Sequence, residues 1–136
     1  MAGPIGALDA AIYGELSGGA GLIAELGGTA IYNRVAPQEA GLPYVIFQWQ
    51  GGGDENLTPS RTRNVVYVVK GVADALSKAE AIDEQCDALL HGQALSVAGW
   101  SNFWLARESD IAYVEVDESG RPVYHSGGVY RIRVGQ

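Results

Sequence analysis

The chain has 136 residues and a mass of 14.4 kDa, which fits a single domain. Hydrophobic residues make up 47% of it, so the composition excludes wholesale disorder and allows a real core. The formal net charge of −7 argues against a free-standing nucleic-acid binder, because such a protein needs a basic surface.

The remaining composition limits the compartment and the cross-links. The single cysteine, Cys86, gives no disulfide within the chain and is typical of synthesis in a reducing compartment. The N-terminal part lacks the basic start and the apolar run of a signal peptide. No stretch approaches the ~18 apolar residues of a membrane span. We therefore expect a soluble protein that is synthesised inside the cell.

The N-terminal third predicts two helices. Apolar residues at helical spacing indicate a helix over residues 6–16 and a short second helix over residues 20–26, each followed by a pair of glycines or a Ser-Gly-Gly stop. Residues 29–33 then read as a short extended segment, and residues 34–42 as a loop.

A strand and a long loop follow. Residues 44–50 alternate so that Val45, Phe47 and Trp49 share the face that we assign to the core. Residues 51–62 are rich in glycine and polar side chains, and are longer than a tight hairpin needs. Two interpretations stay open for this loop: a binding loop, or the disordered tip of a hairpin.

The chain is organised around residues 63–92. Four valines and a tyrosine predict a strand over residues 63–70. An amphipathic helix follows over residues 77–91, with Ser77 and Glu80 at the spacing of a capping box and Gly92 suited to close it. The helix has an apolar stripe that we expect to pack on the sheet, formed by Ala79, Ile82, Cys86, Leu89 and Leu90.

The C-terminal third predicts strands over residues 94–97, 101–107, 111–116 and 123–134, with an irregularity at 108–110 and a turn at 118–122. In the last strand Tyr130, Ile132 and Val134 share one face, and Arg131 and Arg133 lie on the other. Helical blocks beside one run of strands, without a βαβ rhythm, predict an α+β fold. We expect a mainly antiparallel sheet with the N-terminal helices and the central helix packed on one face.

Little in the sequence indicates catalysis. Cys86 and His91 are about 140° apart around the helix axis, so they do not face each other. His125 has no motif around it, and an isolated strand histidine is usually exposed or hydrogen-bonded. No metal-binding or phosphate-binding motif occurs in the sequence. We expect no enzymatic activity, metal or cofactor.

Two charged groups remain as candidate surfaces. The predicted helix over residues 77–91 carries an acidic face of Glu80, Asp83, Glu84 and Asp87, which is most simply a face exposed to solvent. Arg131 and Arg133 either form a basic patch with Arg61 or Arg63 or form cross-strand ion pairs with acidic residues, and both alternatives stay open. Among the three tryptophans, Trp100 follows a turn at Gly99, so we expect it to be partly exposed and available for a protein contact.

The order of these segments resembles a known family. The marks are an N-terminal helix, a Leu-rich turn ending in Gly27-Gly28, Ile31-Tyr32-Asn33-Arg34-Val35, Leu42-Pro43-Tyr44-Val45, a polar Gly-rich loop, a Val-rich strand, Lys78-Ala79-Glu80-Ala81, Leu89-Leu90-His91-Gly92, and His125-Ser126-Gly127-Gly128-Val129-Tyr130-Arg131-Ile132-Arg133. Over nearly its whole length the chain resembles the tail-completion, or tail-terminator, proteins of long-tailed bacteriophages and of phage-like particles such as gene transfer agents. The number of glycines, especially Gly51 to Gly53, departs from that pattern.

The resemblance implies a structural virion protein without catalytic residues or cofactor. It implies a ring, commonly a hexamer, that caps the tail tube protein, stops its polymerisation and meets the neck or head-closure proteins, while DNA passes through without specific binding. The candidate partner contacts are Gly51, Gly52, Gly53, Asp54, Glu55, Asn56, Arg61, Arg63, Trp100, Arg131 and Arg133. The acidic face of Glu80, Asp83, Glu84 and Asp87 is a candidate for the lining of the lumen, where carboxylates would repel phosphates, or for the outer wall of the ring, and both placements stay open.

Two other functions stay open at this stage. One is another head–tail neck component, such as a head-closure or adaptor ring, which differs from a terminator only in its partners. The other is a small ligand-binding or enzymatic α+β domain that uses the acidic helix face or His91. A rise in melting temperature with a metal ion or ligand would favour this second alternative.

Overall fold

The computed structural model describes residues 3–57 and 61–136. This part of the chain contains three helices and six strands. In chain order they are α1 (Ile5–Ser17), α2 (Ala20–Leu26), β1 (Ile31–Asn33), β2 (Tyr44–Asp54), β3 (Thr62–Ala73), α3 (Leu76–Leu90), β4 (Ser96–Val97), β5 (Trp100–Val116) and β6 (Pro122–Gly135).

The six strands form one sheet in the order β1-β2-β3-β6-β5-β4. Only β1 and β2 are parallel, and every other neighbouring pair is antiparallel. Side chains from all three helices enter one hydrophobic core with a single face of the sheet. We call the opposite face, which carries Val129, Arg131 and Arg133, the open face. The α+β prediction is confirmed, including the helices on one face of a mainly antiparallel sheet.

The central strand and helix pack as the sequence predicts. Val65, Tyr67 and Val69 of β3 point into the core, where Ile82 and Cys86 of α3 are also fully buried. The helix comes so close to the sheet that a Cβ on Gly71 would lie 2.7 Å from Cγ2 of Ile82 and 2.9 Å from the carbonyl oxygen of Ala79. A side chain at position 71 would therefore push α3 away from the strand.

Two buried tyrosines attach helices to the sheet. The Tyr67 hydroxyl donates to Oδ1 of Asp9 on α1 at 2.7 Å, and the Tyr130 hydroxyl donates to Oδ1 of Asp87 on α3 at 2.9 Å. Burial is the largest cause that raises the pKa of both phenols. Each hydroxyl is thus a neutral donor to a carboxylate at ordinary pH, and each bond fixes one helix against one strand.

The start of α3 differs from the predicted capping box. The helix begins at Leu76 after the extended residue Ala75, with no side-chain cap, and its first backbone bond runs from the Ala79 N–H to the Ala75 carbonyl. Ser77 therefore lies inside the first turn, because the chain leaves β3 at Ala73 and turns into the helix almost at once. Gly92 has the predicted left-handed conformation, with a φ of +73°, but the helix already ends at the extended residue His91 and the Gly92 N–H donates to the Leu105 carbonyl of β5.

The predicted loop at residues 51–62 is largely wrong. Strand β2 continues through Gly51, Gly52 and Gly53 to Asp54, and these residues pair with β3 in a regular antiparallel register after a bulge between Trp49 and Gly51. The β2–β3 hairpin is therefore a long paired arm with a short tip. Residues 58–60 of the predicted loop lie outside the described residues.

Strand β5 is longer than predicted, whereas β4 is shorter. The two segments predicted on either side of residues 108–110 form one strand, and the expected irregularity is a bulge between Arg107 and Ser109. A second bulge lies between Asn102 and Trp104. Only Ser96 and Val97 form β4.

Candidate interaction surface

Arg133 on the open face belongs to an ion pair. Its Nε and Nη2 atoms donate to the two carboxylate oxygens of Glu55 at 3.0 and 2.9 Å, which is the bidentate geometry that arginine favours. The same guanidinium lies 5.0 Å from the ring centre of Phe103. The hydrogen bonds to Glu55 raise the pKa of Arg133. This contact ties the tip of the β2–β3 hairpin to the last strand.

Arg131 is neutralised in a similar way. Its Nε donates to Glu108 of β5 at 2.8 Å, and its Nη1 donates to Oδ1 of Asn64 on β3 at 2.6 Å. Hydrogen bonding to Glu108 raises the pKa of Arg131. The predicted basic patch is therefore wrong, and the alternative of cross-strand ion pairs is confirmed. Arg63 does not join these arginines, since its guanidinium lies against Gly3.

The tip of the β2–β3 hairpin is shaped by Asp54. Its carboxylate accepts the Asn56 N–H at 2.7 Å and the Arg61 Nε–H at 2.9 Å. The Asn56 N–H is the largest cause that lowers the pKa of Asp54. Asn56 itself has a φ of +60°, which an asparagine tolerates better than most residues. Beyond this turn the side chain of Leu57 is 55% exposed.

The predicted acidic face of α3 is wrong at Asp83. This carboxylate is buried and accepts two hydrogen bonds from the Arg107 guanidinium, at 2.7 and 3.1 Å, and one from the Ser126 hydroxyl at 3.1 Å. Its hydrogen bonds to Arg107 are the largest cause that raises the pKa of that guanidinium. The pair therefore attaches α3 to β5 and β6, and Asp83 is unavailable as a lumen lining.

A signal for this burial was present in the sequence. Asp83 lies four residues after Ala79 and three before Cys86, both of which are fully buried, so it belongs to the apolar row of the helix. Asp87 is half-buried, and beside its bond to Tyr130 it lies 3.8 Å from Arg107. Of the predicted acidic face, only Glu80 and Glu84 are exposed.

The prediction that Trp100 is partly exposed is confirmed, although Trp104 is the most exposed of the three tryptophans. Trp100 is half-buried and packs against the core. The more exposed aromatic side chains are Phe103 at 51% and Trp104 at 50%, on β5 at the bulge between Asn102 and Trp104. A pocket of about 490 Å³ lies between these two side chains and residues 91–94. The bulge, which turns Phe103 outward, was not visible in the sequence pattern.

The side chains that could take part in catalysis are buried or engaged in structural contacts. Cys86 is fully buried, and burial raises the pKa of its thiol. Nδ1 of His91 accepts the Arg107 backbone N–H at 3.1 Å. His125 is buried beneath Tyr113, whose ring stacks on it at 4.3 Å, and burial lowers the pKa of the imidazole. Over residues 3–57 and 61–136, no three metal-binding side chains cluster in one place, and no helix is long and apolar enough to cross a membrane.

Comparison with known proteins finds one matching family model and a solved structure of the same fold. Residues 10–134 match the family model described as tail completion protein gp17. A chain in the solved structure of the virion of a native gene transfer agent (GTA) particle has the same fold, with a TM-score of 0.82 and 25% sequence identity over 100% of both chains. A search of curated protein sequences finds no significant match.

These findings define the class of the protein, which is a structural protein of the tails of bacteriophages and related particles. The chain belongs to the tail completion protein gp17 family. It is accordingly a tail-associated component of a virion, in which it contacts other virion proteins.

Proposed function

We propose that this protein is a tail terminator: a ring, commonly a hexamer, that caps the tail tube and stops its polymerisation. The other side of the ring would bind the neck or head-closure proteins, and DNA would pass through the centre. The observation that carries the proposal is the family match over residues 10–134, together with the full-length likeness to a chain of a gene transfer agent virion.

The size of the subunit supports a ring that admits DNA. A chain of this length has a radius of gyration of about 14 Å, which corresponds to a sphere roughly 36 Å across. Six such spheres in a closed ring surround an opening about as wide as one subunit. The net charge of −7 suits a lumen that repels phosphates and lets DNA slide. Glu80 and Glu84 are the exposed members of α3 that remain candidates for this lining.

The tip of the β2–β3 hairpin is the best candidate for contact with the tube or the neck. Leu57 at this tip is more than half exposed, and a partner that covers the tip would remove its apolar side chain from water. Glu55 and Arg133 hold the base of the tip against the sheet.

Electron microscopy of the purified protein mixed with tail tubes tests the proposal. We expect a ring at one end of each tube. Protein that is not bound to a tube end should remain free in solution. Leu57→Asp should remove the ring from the tube, because a carboxylate would be buried in the contact. Leu76→Asp is the matched control, since Leu76 is 45% exposed at the first residue of α3; this variant should cap tubes normally.

One outcome would contradict the proposed function, and another would contradict only the proposed contact at the hairpin tip. If the wild-type protein binds only the head side of the neck and never a tube end, the protein is a different neck component. If Leu57→Asp and Leu76→Asp cap tubes equally well, the hairpin tip is not the contact, although the terminator function would stand.

A further inference from the structure

His125 is a buried titratable side chain that the proposed function does not use. It lies on the open face of the sheet, directly opposite Tyr113 of β5, and its side chain is only 8% exposed. The two rings stack with their centres 4.3 Å apart and their planes at 9°. Lys70 of β3 donates from Nζ to the Tyr113 hydroxyl at 2.6 Å and so holds this ring over the imidazole. We call His125 and Tyr113 the His125 stack.

The His125 stack belongs to a row of side chains across four strands. The pairing registers place Tyr113, His125, Val72 and Tyr44 side by side on β5, β6, β3 and β2. Val72 is fully buried, although the helices pack on the other face and Val72 is not part of the core that they share with the sheet. Its neighbours in the row therefore shield it from water. The stack thus closes a small apolar patch near the turn between β5 and β6.

The surroundings of the imidazole suit its neutral form. A neutral imidazole has one donor and one acceptor, whereas the protonated ring has two N–H donors. Both ring nitrogens of His125 are buried without a hydrogen-bond partner in residues 3–57 and 61–136, although Nε2 lies beside Oε1 of Glu115. Protonation would therefore add a buried N–H that has no acceptor, which is unfavourable. The charged ring can bind water only if it moves out from under Tyr113.

The charges around His125 act in opposite directions. Tyr113 and Glu115 face it from β5 and Lys70 faces it from β3, while Tyr44 lies beyond Val72. Burial is the largest cause that lowers the pKa of His125, the Lys70 cation lowers it further, and Glu115 opposes both. Glu115 is 62% exposed, so water weakens its attraction for a charged imidazole. The closed stack is stable above the usual pKa of about 6.5 and loses stability as the pH falls below it.

We propose that the His125 stack is a pH-sensitive switch at the β5–β6 end of the sheet. When the imidazole takes up a proton from solvent, the ring leaves Tyr113, the patch around Val72 is exposed to water, and the pairing of residues 113–116 with residues 122–125 loosens. The β2–β3 tip at the other end has no histidine and keeps its structure. This switch is independent of the proposed function.

Hydrogen exchange of the backbone amides tests the inference in the full-length protein. Exchange would be compared at about pH 7.5 and pH 5.5 after correction for the intrinsic rate, since carboxylates remain ionised at both values. Residues 113–116 and 122–125 should lose protection by about five- to tenfold at the lower pH, because that pH lies one unit below the usual pKa of an exposed imidazole. Residues 62–66 should change by less than about twofold.

Two variants separate His125 from other titrating groups. His125→Phe keeps a ring that can stack but cannot take up a proton, so the loss of protection should disappear. His91→Gln is the matched control, because it removes the other histidine of the chain, and it should keep the loss. Glu115→Gln removes the neighbouring negative charge and should shift the midpoint of the loss to lower pH, because a carboxylate favours the charged imidazole.

Nuclear magnetic resonance of the wild-type protein provides a test that needs no variant. The Tyr113 ring resonances should change with the same midpoint as the His125 ring resonances, because protonation and opening of the stack are one event. Tyr113 resonances that stay constant while His125 titrates would overturn the inference. An equal loss of protection in His125→Phe and wild type, or no loss in the wild type, would also overturn it, and each result would leave the proposed function standing.

Discussion

At the scale of single residues, an ion pair between Asp83 and Arg107 joins α3 to the sheet. Arg107 also donates to Asp110 and to the carbonyl of Gly127, so one guanidinium bonds to α3, β5 and β6. Its side chain is 17% exposed and that of Asp83 12%. Loss of one partner would leave the other charge buried, which is far more costly than loss of a surface pair.

We predict that Arg107→Met lowers the free energy of unfolding by about 3–5 kcal/mol, because Asp83 loses its counter-charge. Urea denaturation measures the change. The control is Arg131→Met, whose ion pair with Glu108 is 35% and 43% exposed and should cost only about 0–1 kcal/mol. The double variant Arg107→Met with Asp83→Leu should recover much of the loss. Equal losses in the two single variants would contradict this account.

The sequence left the pairing of charged residues open for a physical reason. Alternation placed Arg131 and Arg133 on the open face correctly, but their partners, Glu108 and Glu55, are 23 and 78 residues away in the chain. Which carboxylate lies opposite an arginine depends on strand order, which local patterns do not determine. The burial of Asp83 was easier to predict from the sequence, because it shares a row of the helix with the apolar residues Ala79 and Cys86.

At the scale of elements, the β2–β3 hairpin shows how glycine permits a paired arm. Gly52 has a φ of +127°, and a Cβ there would lie 2.2 Å from the Asn64 carbonyl oxygen and 2.5 Å from Cα of Val65. Only glycine fits this position without displacement of β3. Gly53 has open space around it and no positive φ. The glycine run is therefore part of strand β2, and Gly52 is the position in it that requires glycine.

We predict that Gly52→Ala destabilises the protein by about 1–3 kcal/mol, because it forces a side chain into a strained conformation. Gly53→Ala is the matched control and should change stability by no more than about 1 kcal/mol in either direction. Thermal unfolding followed by circular dichroism compares the two variants. Equal melting temperatures for them would show that the arm does not hold the register described above.

The elements with strong periodicity were predicted well, whereas their ends were not. The alternation in β3 and β6 and the apolar row of α3 gave the right type, and the expected core residues Val45, Phe47, Tyr130, Ile132 and Val134 are buried. The strand at Gly51, Gly52 and Gly53 was not predicted, because glycine has no side chain and therefore gives no alternation of polar and apolar residues. Its strand structure is evident only from its pairing with β3. The length of β5 was missed because a bulge breaks the two-residue period.

At the scale of the whole molecule, the fold separates a buried core from exposed turns. The three helices and one face of the sheet form the core, whereas the tip of the β2–β3 hairpin and the turn between β5 and β6 lie at opposite ends of the sheet. In the proposed ring, these two ends of the sheet would contact different partners.

The elongation of tail tubes tests the central proposal most directly. Tube protein would be polymerised with and without a saturating amount of this protein, and tube lengths would be measured by electron microscopy over time. A terminator predicts that growth stops at once and that each tube carries one ring at the arrested end. Tubes that continue to lengthen at the uninhibited rate, with no ring at either end, would contradict the account.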